Sequence, residues 1–186
     1  EGTLHIAHGD HMFGIDSRQM RILPDGRFLL PALPPGTYFL QYRESPWPPA
    51  RGEIPVVSQA SVLIRETDIA GVKVVPIHMV KATGHVIVDH AMRSSLIGSE
   101  FSISGEPENW DGNPGFAHAG TVRDDLTFEF ASWPGPHYVR VLVYQPGWRV
   151  KAIHLNGVDI TDKPIDFKEG TPVAGIEIEL VGPSRG

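Results

Sequence analysis

The chain has 186 residues, a net charge of −6, 16 basic side chains scattered singly and no cysteine. That balance lacks the basic stripe of a nucleic-acid binder, and the missing thiols exclude disulfides and cysteine chemistry. No apolar run reaches the roughly 18 residues of a membrane-spanning helix.

Val and Ile total 32 against 12 Leu, while 20 Gly and 17 Pro are spread evenly, so pleated sheet is favoured and few windows can hold a long helix. In chain order, Met20 to Leu23 reads as a strand running into the turn Pro24-Asp25-Gly26, where Gly26 supplies positive φ, and Arg27 to Leu30 leave it as the next strand. Pro31 to Gly36 form a second turn, in which Pro34-Pro35 set extended φ. Thr37 to Tyr42 then alternate as a strand with Tyr38, Leu40 and Tyr42 on one face. A proline-rich loop at 45 to 49 carries Trp47 at its tip, and Ile54 to Val57, Ser61 to Ile64 and Asp68 to Val75 complete a first unit ending at Pro76.

The second unit opens with Ile77 to Val88, in which Gly84 suggests a bulge or bend. Asp89 to Ser95 is the one short helix, and Phe101 to Ser104 is a strand followed by a long polar loop at 105 to 120. Strands at Leu126 to Phe130 and at Tyr138 to Tyr144 flank the turn Trp133-Pro134-Gly135-Pro136. Beyond Trp148 come Val150 to Leu155, the Asn156-Gly157 hairpin turn, whose two central residues need positive φ, and a last strand from Val173 to Val181.

Two echoes join the halves. Asp25, Phe28, Leu33, Pro34 and Tyr38 return as Asp125, Phe128, Trp133, Pro134 and Tyr138, and Ala70-Gly71-Val72-Lys73-Val74 returns as Ala174-Gly175-Ile176-Glu177-Ile178. A period of about 100 residues is a domain rather than a solenoid repeat. The repeated Phe and Tyr are expected in the core. Leu126 stands where the first turn has Gly26, so the second turn is expected to find its left-handed or capped residue at Asp124 or Asp125.

The segment PDGRFLLPALPPGTY resembles the signature of carboxypeptidase regulatory-like domains, which are small transthyretin-like or Cna-B-like β-sandwiches, and residues 146 to 180 look like the continuation found in tandem copies. The resemblance implies an all-β fold of two tandem immunoglobulin-like or transthyretin-like β-sandwiches, at residues 1–76 and 77–186. It further implies a non-catalytic spacer or adhesion module of a bacterial protein exported to the envelope or beyond. Its partners would be other modules of a longer chain or cell-surface proteins, with no nucleic acid and no cofactor. The Lys-to-Asn isopeptide crosslink of Cna-B-type relatives is not expected, because the last strand lacks Asn.

Three constellations carry possible chemistry. His5, His8 and His11, with Asp10, are the residue types of a transition-metal site, but alternation along a strand sends His5 and His8 to opposite faces, so convergence needs a turn at Gly9. An exposed polar edge is the plainer reading. Asn109, Asp111 and Asn113 alternate like calcium ligands, yet Pro114 and Gly120 occupy the positions where an EF-hand loop requires Gly and Glu. Trp47 and Trp110, in loops, are candidates to stack on a sugar ring, the basis of an alternative carbohydrate-binding function, whereas Trp133 and Trp148 beside Pro-Gly turns suit the plug of a sandwich end. The peptidase spacings His-Glu-x-x-His and His-x-x-Glu are absent, as is any Gly-x-Ser-x-Gly elbow, so no enzymatic activity is expected.

Overall fold

The computed structural model describes residues 2–8, 15–20, 22–30, 33–45, 56–110 and 118–183. Among the described residues strand makes up 55% and helix 6%, so the fold is all-β, in several open sheets. The chain divides into two compact units between His78 and Met79, with a short stretch from Asn109 grouped with the first. No described helix is long and apolar enough to cross a membrane.

In the first unit, β1 (Gly2–His8), β2 (Ile15–Met20), β3 (Gly36–Glu44), β4 (Val57–Ile64) and β5 (Val75–Ile77) form one antiparallel sheet in the order β2-β1-β3-β4-β5. The period of two sorts the side chains. Leu4 and Ile6 of β1 and Tyr38 and Leu40 of β3 are buried on one face, with Phe28, Tyr42, Val62, Val72 and Val74 packed against them. Each fully buried Leu or Ile contributes about 1.5–3 kcal/mol. The opening segment, which the family pattern leaves out, thus supplies a central strand of this sheet. Residues 57 to 64 form one strand, where the sequence suggests two. The segment from 68 to 74 makes no strand pairing, so only Val75 onward of the expected terminal strand joins the sheet.

The second unit has two sheets. One runs β11-β10-β13-β6-β8, from β6 (Val80–Ile87), β8 (Thr127–Ser132), β10 (Arg149–Leu155), β11 (Val158–Asp159) and β13 (Val173–Val181). The other runs β12-β9-β7, from β7 (Phe101–Pro107), β9 (Gly135–Val143) and β12 (Ile165–Phe167). Val86, Phe128, Phe130, Ile176 and Ile178 from the first sheet and Phe101, Ile103, Val139 and Phe167 from the second share one core. The expected short helix is a 3₁₀ turn at His90–Ser95, capped by the Asp89 carboxylate accepting from the Ala91 N–H at 2.8 Å.

The repeated turns are the same to the hydrogen bond. In the first, Leu23 N–H donates to the Arg27 carbonyl (2.8 Å), Gly26 N–H to Leu23 (2.8 Å) and Arg27 N–H to the Asp25 carboxylate (3.1 Å). One hundred residues on, Arg123 donates to Thr127 (2.8 Å), Leu126 to Arg123 (2.9 Å) and Thr127 to Asp125 (2.9 Å). Gly26 has φ +81°, as the sequence predicts, but the second turn keeps the same backbone, with Leu126 itself at φ +67° rather than an Asp. That conformation costs a non-glycine residue roughly 1–2 kcal/mol, and the Leu126 side chain offsets it by packing against the core. Gly26→Ala, whose new methyl meets nothing within 4 Å, is expected to cost the first unit about 1 kcal/mol from φ alone. Leu126→Gly relieves the backbone yet loses the packing, and is expected to lower stability by about 1 kcal/mol. Urea midpoints of the two variants check both values.

The echo at offset 104 has a similar basis, since Gly71 (φ +75°) and Gly175 (φ +83°) share the left-handed conformation. Gly175 also locates the irregularity that the sequence assigns to Gly84. The ladder of β6 with β8 runs unbroken through Gly84, whereas that of β13 with β6 shifts between Val173 and Ile176, so the extra residue lies on β13. At Asn156-Gly157 both residues have positive φ (+51° and +80°), which matches the expected hairpin turn.

One repeat position differs. β3 and β9 both begin on their glycines, Gly36 and Gly135, so His137 rather than Tyr138 takes the inward place of Tyr38. Tyr38 is buried, with its hydroxyl donating to the Pro34 carbonyl at 2.9 Å. Tyr138 is only half-buried, with the Arg140 guanidinium 4.6 Å above its ring. The expected core Tyr of the second unit is therefore corrected to His137, because Gly135 sits one residue earlier in its repeat than Gly36 does. Phe128 is buried as expected, while Phe28 is half-buried at the margin of its core.

Candidate functional site

The face of the first sheet opposite Leu4 and Leu40 carries a polar row. His5 lies opposite Gln41, which lies opposite Gln59, and Arg43 follows on β3. Gln41 is buried, with its Oε1 accepting from Arg43 Nη2 at 3.0 Å. Burial, and then the charge of Arg43, hold the His5 imidazole below its ordinary pKa, so it is a neutral ring beside a guanidinium. Neutral His and Gln offer both donors and acceptors there.

Of the three candidate metal ligands, His5 belongs to this face and His8 to the opposite one, where its ring lies 4.6 Å from that of Tyr38. β1 does not bring them together, and His11 lies outside the described residues. Among the described residues no group of three or more His, Asp or Glu is placed to hold a metal. Trp110 follows β7 and is partly buried; Trp47, Asp111 and Asn113 lie outside the described residues. Trp133 and Trp148 are both buried, and Trp148 meets Phe101 edge to face at 6.1 Å. The Asp159 carboxylate accepts from the Thr161 hydroxyl (2.7 Å) and N–H (2.9 Å), and those bonds, the hydroxyl first, lower its pKa. It acts as a turn cap.

Sequence reasoning missed two features of the second unit. A cleft of about 510 Å³ opens between the 3₁₀ turn and the strained second turn, lined by His90, Arg93, Ser94, Arg123, Asp124 and Leu126 among others. Its cationic groups outnumber the acidic one, and Arg123 is shared with Glu129, 3.7 Å away. The volume lies within the range of small-molecule sites. Leu126 was legible as a departure from the repeat, but not as one wall of a cleft.

The other feature is a buried pair of polar residues, Ser132 and His137. The His137 ring shares a hydrogen bond with the Gly135 carbonyl (Nδ1 to O, 3.0 Å) and meets Phe167 edge to face at 5.6 Å. Both side chains are sealed from solvent, at 3% exposure for His137 and 0% for Ser132, so this pair stands in packing rather than in a site open to substrate. The shifted glycine in Trp133-Pro134-Gly135-Pro136 was its only signal.

Burial depresses the pKa of His137, with the Gly135 bond opposing it more weakly, and burial depresses that of His5 as well. Each ring is thus neutral in the native state and takes up a proton on unfolding once the pH falls below its ordinary value of 6.5. The contribution to stability is whole above that pH and declines as pH falls from it towards the depressed native value. Melting temperatures are expected to be level above about pH 7 and to drop towards pH 5, and His137→Gln is expected to flatten the drop for the second unit. An equal slope in the variant would contradict the assignment.

A scan against protein-family models finds no match to the chain. A search of curated proteins finds none that matches it either.

Proposed function

We propose that the chain is a pair of tandem β-sandwich modules of the carboxypeptidase regulatory-like, transthyretin-like kind. In this reading they serve an exported bacterial protein as a non-catalytic spacer or protein-interaction element. The observation that carries the reading is the duplicated turn at Asp25 and Asp125, with three matching hydrogen bonds and a left-handed residue at the same place. A turn kept in that detail while most surrounding residues differ is what duplication of a structural module leaves behind. The surface charges agree with a scaffold. Lys81–Glu129 (2.8 Å), Lys151–Glu179 (2.8 Å) and Arg140–Glu106 (2.6 Å) pair across neighbouring strands on exposed faces, where each contributes up to about 1 kcal/mol.

Titration with a panel of bacterial and plant oligosaccharides, followed by tryptophan emission and calorimetry, tests this against the carbohydrate-binding alternative. A spacer gives no saturable change. A saturable shift with one sugar class, lost in Trp110→Ala or in Trp47→Ala, would replace the spacer reading by a carbohydrate-binding one.

A further inference from the structure

We propose that the second unit is a mechanical clamp, built to hold tension between its first and last strands, and that the first unit is the part that yields. The chain enters the second unit through β6 and leaves it through β13, and these two strands are adjacent and parallel in the middle of the five-stranded sheet. Their register runs from Ala82 opposite Val173 to Ile87 opposite Glu179. Tension applied to the chain pulls the start of β6 and the end of β13 in opposite senses along the strand axes. The bonds of the ladder are then loaded together, in shear, and none can fail first without its neighbours carrying the load. Val86, Ile176 and Ile178, buried in the shared core, would have to slide with them, and β8 and β10 flank the pair on both sides.

The first unit has the opposite geometry. Three antiparallel steps separate β1 from β5, so the start of one and the end of the other lie at the same end of the sheet. The register shows this directly. Thr3 is opposite Arg43, Arg43 opposite Val57, and Val57 opposite Ile77, a row running straight across the strands from the first to the last. Tension applied at the two ends of that row acts across the ladders and opens their bonds one after another. Resistance to force is set by the unfolding barrier rather than by equilibrium stability, so the two units can differ in it even where their stabilities are alike.

The proposal extends the spacer reading to a load-bearing one and takes its purpose from it, while its mechanics rest on strand pairing alone. A chain that held force and also bound a sugar would keep the clamp and lose the spacer.

Single-molecule pulling of the whole chain by its two ends tests it. Two ruptures are expected. The first, at low force, releases the 78-residue unit, about 270 Å of extended chain, and the second, at several-fold higher force, releases a longer segment of roughly 360 Å. Because the chain has no cysteine, Lys168→Cys provides a unique second handle just before β13. Pulled from the N terminus and this position, β6 and β13 are drawn apart from the same end, and the high-force rupture is expected to disappear. Ruptures in the reverse order, equal forces for the two units, or a high force that survives the move of the handle would each overturn the clamp.

Discussion

Phe128→Ala is expected to abolish cooperative folding of the second unit, at a cost of about 3–5 kcal/mol. The ring is 1% exposed, lies on the inward face of β8 and stacks beside Phe130 with centroids 6.4 Å apart. It fills the space left open by the missing side chain of Gly84 on the neighbouring strand. Truncation leaves a cavity against β6, whose backbone is held by ladders to β8 and β13 on its two sides, so the site cannot collapse to fill it. A loss of this size is comparable with the whole stability of a marginal domain, which is roughly 5–15 kcal/mol. Guanidinium unfolding followed through Trp148, in the same core, measures it. Phe28→Ala is the control: its half-buried ring borders the smaller core, and a cost of about 1–2 kcal/mol is expected. If Phe128→Ala melted like the parent, the shared core of the two sheets would be wrongly drawn.

Gly84→Ala is expected to be among the most damaging glycine-to-alanine changes at the described residues. Glycines differ widely in what surrounds them. A side-chain carbon at Gly26 meets open space, whereas one at Gly84 collides with the Ile176 carbonyl and with the Phe128 ring. The ring can move, but the carbonyl belongs to β13, which is paired with β10 on its other edge and cannot retreat. Overpacking of this kind costs about 1–3 kcal/mol, and the backbone contact puts Gly84→Ala at the upper end. The two contributions can be separated. Adding Phe128→Leu to Gly84→Ala makes room on the ring side only and is expected to leave most of the loss in place, read as reduced hydrogen-exchange protection of β6 and β13. Full rescue by the double variant would show that the ring, not the carbonyl, is the obstacle.

Turns and alternation were legible in the sequence because they are decided locally. Gly26 at positive φ, the Asn156-Gly157 hairpin, the Asp89-led short helix and the Asp159 cap each follow from what one or two residues permit their own backbone to do. The inward sets Tyr38, Leu40 and Tyr42, and Val139, Val141 and Val143, follow from the period of two. Even the weakest part of the reading, the opening segment, held a signal in the alternation of Leu4 and Ile6.

Pairing was not legible, since strand neighbours far apart in the chain are chosen by packing that no short window contains. Nothing near Val80 says that it starts a strand lying parallel to one that begins at Val173, and nothing in Gly84 distinguishes a bulge from a close approach by another strand. The separation of His5 from His8 needed only the strand period, yet that Gln41 and Arg43 would stand beside His5 needed the register of β1 on β3. The cleft beside Leu126 depends on a 3₁₀ turn and a β-turn about thirty residues apart meeting in space. The sequence by itself determined the all-β class and the turns, because these are set by backbone preferences and by a period that each residue shares with its neighbours. Only the tertiary structure decided strand order, the substitution of His137 for Tyr138 in the core and the parallel seating of β13 on β6, because each depends on which distant surface removes an apolar face from water.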